Sequence, residues 1–178
     1  QVRKEIQKIG DKVLEGGSVS MKEILPLLEI KGPDVMDLVA VANRVRAEFN
    51  GNEIDLCSLL NAKSGKCSED CAFCAQSAHY QTDAPTYPLM NADQMVKEAK
   101  EAQKRRTGRF CLISSGRQLN DKEFEVILSG LDRIRKETTL DLDCSLGKLS
   151  EERAEALKRV GVTRYNHNLE TAETHFPK

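Results

Sequence analysis

Apolar side chains recur at helical spacing through the first fifty residues. One stripe predicts an amphipathic helix that ends at a glycine pair, and it consists of Val2, Ile6, Ile9 and Val13. Ser20 and Glu23 have the spacing of a capping box, so a short second helix is expected there, limited by Pro26. A third stripe predicts a helix over 33–51. We therefore expect an N-terminal helical segment over residues 1–51.

From residue 52 onward, short apolar runs alternate with amphipathic helices. This alternation is typical of βα units and a parallel sheet. Strands are predicted near 53–60, 109–115, 139–146 and 162–168, with helices near 91–107, 121–137 and 150–160. Four strands are too few to close an eight-stranded barrel, which takes about 250 residues. The predicted fold class is α/β, with residues 52–178 forming about half of a TIM-type (β/α) barrel.

The connection after the first predicted strand, residues 61–90, is unusually long for a βα loop. Long loops in compact domains usually carry function. This loop contains Cys67, Cys71 and Cys74 in a C-x3-C-x2-C arrangement, close enough for one loop to surround a single metal centre. A structural zinc normally takes four ligands from two close pairs, and no second such pair follows. Three thiolates favour an iron-sulfur cluster that leaves one iron open for a substrate.

Composition and charge disfavour nucleic-acid binding, membrane association and a disulfide-linked secreted domain. The 178 residues are 39% hydrophobic and 31% charged, and 27 basic against 28 acidic side chains give a net charge of -1. Nothing in this balance favours nucleic acid or an anionic membrane as a partner. Apolar runs are shorter than the ~20 residues of a spanning helix, and no signal peptide is visible, so a cytoplasmic location is expected. Without export, a disulfide framework among the six cysteines is disfavoured.

The cysteine loop resembles the signature of radical S-adenosylmethionine enzymes, in which an aromatic residue precedes the last cysteine. In that family the open iron of a 4Fe-4S cluster binds the amino and carboxylate groups of S-adenosylmethionine. One electron then cleaves the cofactor to methionine and a 5′-deoxyadenosyl radical. The resemblance implies that Cys67, Cys71 and Cys74 hold this cluster and that Phe73 lies near the adenine.

Three further runs resemble the biotin synthase family within these enzymes. They are Cys57–Cys67, Cys74–Tyr80 and the YNHNLET sequence of 165–171. The resemblance implies a role in binding S-adenosylmethionine for Ser114, Ser115, Asn168 and Glu170, and a role in binding dethiobiotin for Asn166 and Asn168. Independently of the resemblance, three consecutive polar side chains after an apolar strand need polar partners, which favours ligand binding.

Enzymes of this family carry an auxiliary iron-sulfur cluster, of the 2Fe-2S type or a variant, that donates sulfur. Cys111 matches one ligand of that cluster. Cys144 is the candidate on the third strand, but the position that matches the family ligand is Asp143. Adjacent residues of a strand face opposite sides, so this offset of one residue matters. Cys57 is a spare candidate.

The resemblance implies a radical sulfurtransferase that converts dethiobiotin to biotin. Its expected partners are dethiobiotin, an electron donor such as flavodoxin or ferredoxin, and a second copy in a homodimer. The chain starts at Gln1 and resembles only about half of such an enzyme, so we expect an N-terminal portion that is inactive alone. The alternatives are a methylornithine synthase, a hydrogenase-cofactor maturase, or a non-catalytic zinc-binding module.

Overall fold

A computed structural model describes residues 1–175 and divides the chain into two compact units, Gln1–Ile54 and Asp55–Lys178. The last three residues of the predicted barrel segment lie outside the described residues. None of the described helices is both long and apolar enough to cross a membrane.

The first unit consists of helices α1 (Val2–Leu14), α2 (Met21–Leu28) and α3 (Asp34–Asn50). Ile6 and Ile9 of α1 are buried, as is Val41 of α3. The capping box is present, with the Ser20 amide donating to Glu23 at 2.8 Å. Pro26 lies inside α2 and not at its end, and the helix stops two residues later, at Leu28.

The second unit alternates strands and helices. Its elements are β1 (Cys57–Lys63), α4 (Ala92–Lys104), β2 (Arg109–Ser114), α5 (Asp121–Glu137), β3 (Asp141–Ser145), α6 (Glu151–Arg159) and β4 (Val162–Tyr165). Within the described residues the strands form one parallel sheet in the order β1-β2-β3-β4. Since a helix connects each strand to the next, the predicted α/β class with part of a (β/α) barrel is confirmed.

Most strand boundaries differ from the prediction by one to four residues, and the sheet pairing explains two of these differences. β1 begins at Cys57 rather than near 53, because Cys57 pairs with Arg109, the first residue of β2, and earlier residues have no strand opposite them. β4 ends at Tyr165 rather than near 168, because Tyr165 is the last residue in register with β3. The polar run after Tyr165 therefore belongs to a loop and not to the strand.

One face of the sheet packs against the helices in a closed apolar core. Phe110 and Leu112 of β2, Leu142 and Cys144 of β3, and Ala62 of β1 project into this core. The helices contribute Met95, Val96, Ala99 and Ala102 from α4, Phe124, Ile127, Leu131 and Ile134 from α5, and Leu157 from α6. Because strand side chains alternate, the residues between them project to the opposite face, called the inner face below.

Candidate functional site

The cysteine loop is fixed at its root, just beyond the end of β1. Ser64 is buried and exchanges two backbone hydrogen bonds of 3.1 Å with Tyr87, which lies near the end of the loop. Gly65 follows with a φ of +79°, and a Cβ at this position would collide with Thr86. The Gly65 amide donates to Gln76 Oε1, and the Gly65 carbonyl accepts from Ser115 Oγ at 2.8 Å. Both polar ends of this residue are therefore held by side chains from distant segments.

Backbone hydrogen bonds fold the cysteine-bearing segment onto itself. The Cys67 amide donates to the Gln76 carbonyl at 2.9 Å, and the Ala78 amide donates to the Cys67 carbonyl at 2.8 Å. A tight turn joins the other two cysteines, with the Cys74 amide donating to the Cys71 carbonyl at 2.9 Å. The three cysteines thus belong to one closed loop, as their spacing predicts.

The three thiols are partly exposed and interact electrostatically. Burial raises the pKa of the Cys71 thiol, and negative charge at Cys74, Glu170 and Cys67 raises it further. A cationic metal centre would offset this repulsion. Among residues 1–175, no three His, Cys, Asp or Glu side chains are arranged as a metal site. The structure places the three thiols in one loop but not in a ligating arrangement, so their role as ligands stays a prediction.

The rim of the loop contains further polar contacts. Tyr80 donates its hydroxyl to Asp70 at 2.6 Å, which raises the pKa of that phenol. Arg117, from the connection after β2, lies 3.9 Å from the Glu69 carboxylate. Phe73 is 70% exposed, so its ring is available for stacking.

The two serines predicted to contact S-adenosylmethionine differ in their surroundings. Ser115 Oγ already donates to the Gly65 carbonyl, so this side chain supports the cysteine loop. Ser114 Oγ is buried and has no hydrogen-bond partner among the described residues.

The polar run after β4 reaches both groups of cysteines. The Asn166 side chain donates to Cys111 Sγ at 3.7 Å. Asn168 and Glu170 are exposed, and Glu170 has a φ of +66°, a left-handed conformation that few side chains other than glycine adopt. The Glu170 charge is close enough to act on Cys71. This loop therefore links the cysteine loop to the inner face of the sheet.

The inner face carries a thiol and an ion pair side by side. Cys111 pairs in register with Asp143, and burial raises the pKa of the Cys111 thiol to about 11, with a further contribution from charge at Cys57. Arg109 contacts Asp143 at 2.7 Å and Asp141 at 3.1 Å. The Arg109 and Asp143 side chains are only 12% and 5% exposed, so this is a nearly buried pair.

Cys144 does not join Cys111 on the inner face. It is fully buried in the apolar core against the helices, where burial raises its pKa. The structure therefore does not bring together the two strand cysteines that the sequence pairs as auxiliary-cluster ligands. The third strand turns Asp143 toward Cys111 instead.

Sequence reasoning missed two residues that shape the site. Gln76 lies within the Cys74–Tyr80 run, and no local signal indicates that its side chain accepts from the amide of Gly65. Arg109 belongs to no motif, although strand alternation places positions 109 and 111 on one face. The alternation could have identified Arg109, whereas the partner of Gln76 depends on tertiary structure.

In the comparison with protein families, residues 62–178 match the Radical SAM superfamily. Curated relatives include the biotin synthase of Citrifermentans bemidjiense, 48% identical over 99% of this chain and 54% of the relative. Those of Geotalea daltonii (99% of this chain, 54% of the relative) and Clostridium acetobutylicum (96% and 53%) are 41% and 44% identical. The chain spans about half the length of these curated relatives.

Solved structures with a similar fold include two of HydG, a maturase of the [FeFe]-hydrogenase. One has a TM-score of 0.72 at 16% identity and covers 92% of this chain and 36% of that chain. The other, from Carboxydothermus hydrogenoformans, has a TM-score of 0.70 at 21% identity and covers 91% of this chain and 37% of that chain. At these identities the likeness shows the fold alone.

Proposed function

We propose that this chain, which belongs to the radical SAM superfamily, is part of a biotin synthase that inserts sulfur into dethiobiotin. Membership of the family implies a 4Fe-4S cluster and S-adenosylmethionine as cofactors. The observation that carries the proposal is the closed loop beyond β1, which holds Cys67, Cys71 and Cys74 in a chain 41–48% identical to curated biotin synthases.

The loop thiols suit a 4Fe-4S cluster by their chemistry. Cys67, Cys71 and Cys74 would each bind one iron, and the loop sequence contains no fourth cysteine, which leaves one iron for a cofactor. When bound, such a cluster supplies the electron with which S-adenosylmethionine is cleaved. The contribution of the chain is to hold three thiolates at fixed positions, and the hydrogen bonds to Gly65 support this role.

Residues around the loop would bind S-adenosylmethionine. Glu170 would accept hydrogen bonds from the ribose hydroxyls, and its influence on Cys71 supports a position beside the cluster. Phe73 would stack on the adenine, since its ring is exposed. Ser114 has a free buried hydroxyl for the methionyl group, whereas Ser115 would act through the loop. Asn168 would contact the ribose.

Dethiobiotin would lie over the inner face, near Asn166, Asn168 and an auxiliary iron-sulfur cluster that includes Cys111 as a ligand. The contact between Asn166 and Cys111 supports this, because one side chain could orient both the substrate and the thiolate. A small electron donor such as flavodoxin or ferredoxin, a homodimeric form and a cytoplasmic location belong to the same proposal.

Anaerobic reconstitution of the full-length enzyme tests the proposal. We expect stoichiometric iron and sulfide, together with 5′-deoxyadenosine and biotin when dethiobiotin and reductant are added. Cys71→Ser should lose the loop cluster and both products. Ala72→Ser is the matched control, since it places the same hydroxymethyl group in the same loop while every thiol remains.

The outcomes separate the alternatives. 5′-Deoxyadenosine without biotin would leave a radical enzyme but refute dethiobiotin as its substrate. About one zinc per chain without iron or sulfide would instead support a zinc-binding module. Equal loss of iron in the Ala72→Ser control would show that the loop is sensitive to any change, and the assignment of Cys71 as a ligand would fail.

A further inference from the structure

The inner face of the sheet carries a second thiol beside Cys111. Leu60 and Ala62 of β1 pack against the helices. Because strand side chains alternate, Cys57, Leu59 and Asn61 lie on the opposite side of β1. Within β2, Phe110 and Leu112 pack against the helices, which puts Cys111 on that same side. Cys57 and Cys111 therefore share the inner face.

The pairing of β1 with β2 brings these two thiols close together. Cys57 pairs with Arg109 and Leu59 pairs with Cys111, with no register shift between them. The two cysteines are thus diagonal neighbours on adjacent parallel strands, about 8 Å apart between backbone positions, since neighbouring strands lie about 4.8 Å apart and each residue advances about 3.3 Å. Two side chains at this separation can both reach a single iron-sulfur cluster above the sheet.

Cys144 cannot take part in such a site without a rearrangement of β3. Its side chain is fully buried in the apolar core between the sheet and the helices, on the face opposite to that of Cys111. Turning it inward would also turn Leu142 out of the core and break the pair between Asp143 and Arg109. The cost of these changes exceeds that of using a thiol already on the inner face.

We propose that Cys57 and Cys111 are the ligands that this chain supplies to the auxiliary cluster, and that Cys144 is a core residue. Asp143 lies opposite Cys111 but is bound to Arg109, so its carboxylate is engaged in an ion pair. Asn166 adds a hydrogen bond to Cys111 Sγ. This inference rests on the proposed function.

Counting iron and sulfide in cysteine variants of the full-length enzyme tests the inference. We expect Cys57→Ser and Cys111→Ser to lose the iron and sulfide of the auxiliary cluster and to retain the loop cluster, so that S-adenosylmethionine is still cleaved to 5′-deoxyadenosine. Mössbauer spectra should show the loop 4Fe-4S component alone. Cys144→Ala should keep both clusters, and Cys144→Val provides a second core variant if the alanine protein does not fold.

Two results would overturn the inference. One is a Cys57→Ser enzyme with the full auxiliary iron and an unchanged auxiliary Mössbauer component. The other is loss of that component in a folded Cys144→Ala or Cys144→Val enzyme. Failure of the proposed function would look different, because it would remove the loop cluster or biotin formation from the wild-type enzyme.

Discussion

The two faces of the sheet use similar strands for opposite purposes. On the helix side, Phe110, Leu142 and Cys144 are almost completely excluded from water and belong to the apolar core. On the inner face, one position away along the same strands, lie Cys111 and Asp143, with polar partners. One residue of register therefore decides whether a cysteine in this sheet packs in the apolar core or lies on the inner face beside polar groups.

The difference between the two faces predicts which of them contributes most to the free energy of unfolding. Apolar burial between sheet and helices is the main stabilising contribution, whereas polar groups on the inner face stabilise only when each has a partner. Substitutions on the two faces of one strand should therefore have very different effects on the free energy of unfolding.

The largest effect is expected from Phe110→Ala. Removal of this fully buried ring leaves a cavity in the core between the sheet and the helices and should lower the free energy of unfolding by about 3–5 kcal/mol. Leu59→Ala is the control on the inner face. Because Leu59 is 63% exposed, this substitution should change the free energy of unfolding by less than about 1 kcal/mol. Urea denaturation measures both, and equal losses would contradict the division between the faces.

Asp143→Ala should have the next largest effect and lower the free energy of unfolding by about 3 kcal/mol. The substitution leaves the Arg109 guanidinium nearly buried, with the outer Asp141 carboxylate as its one remaining ion-pair partner beside the Thr163 hydroxyl. Asp141→Ala removes that outer partner, which is 63% exposed, and should cost less than about 1 kcal/mol. If both variants unfold at the same urea concentration, the inner pair is no more important than a surface contact.

A smaller effect is expected from Cys144→Ser in cluster-free protein. A hydroxyl in the apolar core lacks a hydrogen-bond partner, so the substitution should lower the free energy of unfolding by about 2 kcal/mol. The same exchange at the exposed Cys57 should be within about 0.5 kcal/mol of wild type. Thermal denaturation of the two proteins checks this, and a larger loss at Cys57 would refute the assignment of faces.

The smallest effect concerns the solvent side of the helix layer. Asn120 caps α5 by accepting from the Glu123 amide at 2.9 Å, and Asn120→Ala should cost about 1 kcal/mol. Lys122→Ala, in the exposed first turn of the same helix, is the control and should have almost no effect. A chemical denaturation curve for each variant would show whether capping contributes as expected.

Much of the architecture could be predicted from the sequence because its signals are local. The spacing of Asn91 and Gln94 marks the start of α4, and both capping hydrogen bonds are present. The alternation of short apolar runs with amphipathic helices likewise indicated parallel βα units, which the sheet confirms. Helix ends and strand order of this kind depend on neighbours in the chain.

What could not be predicted depends on register and on distant partners. The start of β1 is determined by where β2 begins, and the face of Cys144 is determined by how β3 pairs with β2. Likewise, nothing near Ser115 in the sequence indicates that its hydroxyl donates to Gly65, fifty residues earlier. A motif locates such a residue, but only tertiary structure tells whether it touches a ligand or supports the chain.

The attachment of Gly65 has a consequence for repair of the enzyme. Gln76 and Ser115 hold this residue through protein groups alone, so the root of the cysteine loop keeps its shape when iron is lost. Damage by oxygen would then empty the centre without unfolding its surroundings. We expect protein that has lost its iron to be reconstituted repeatedly without refolding, because the loop keeps its conformation.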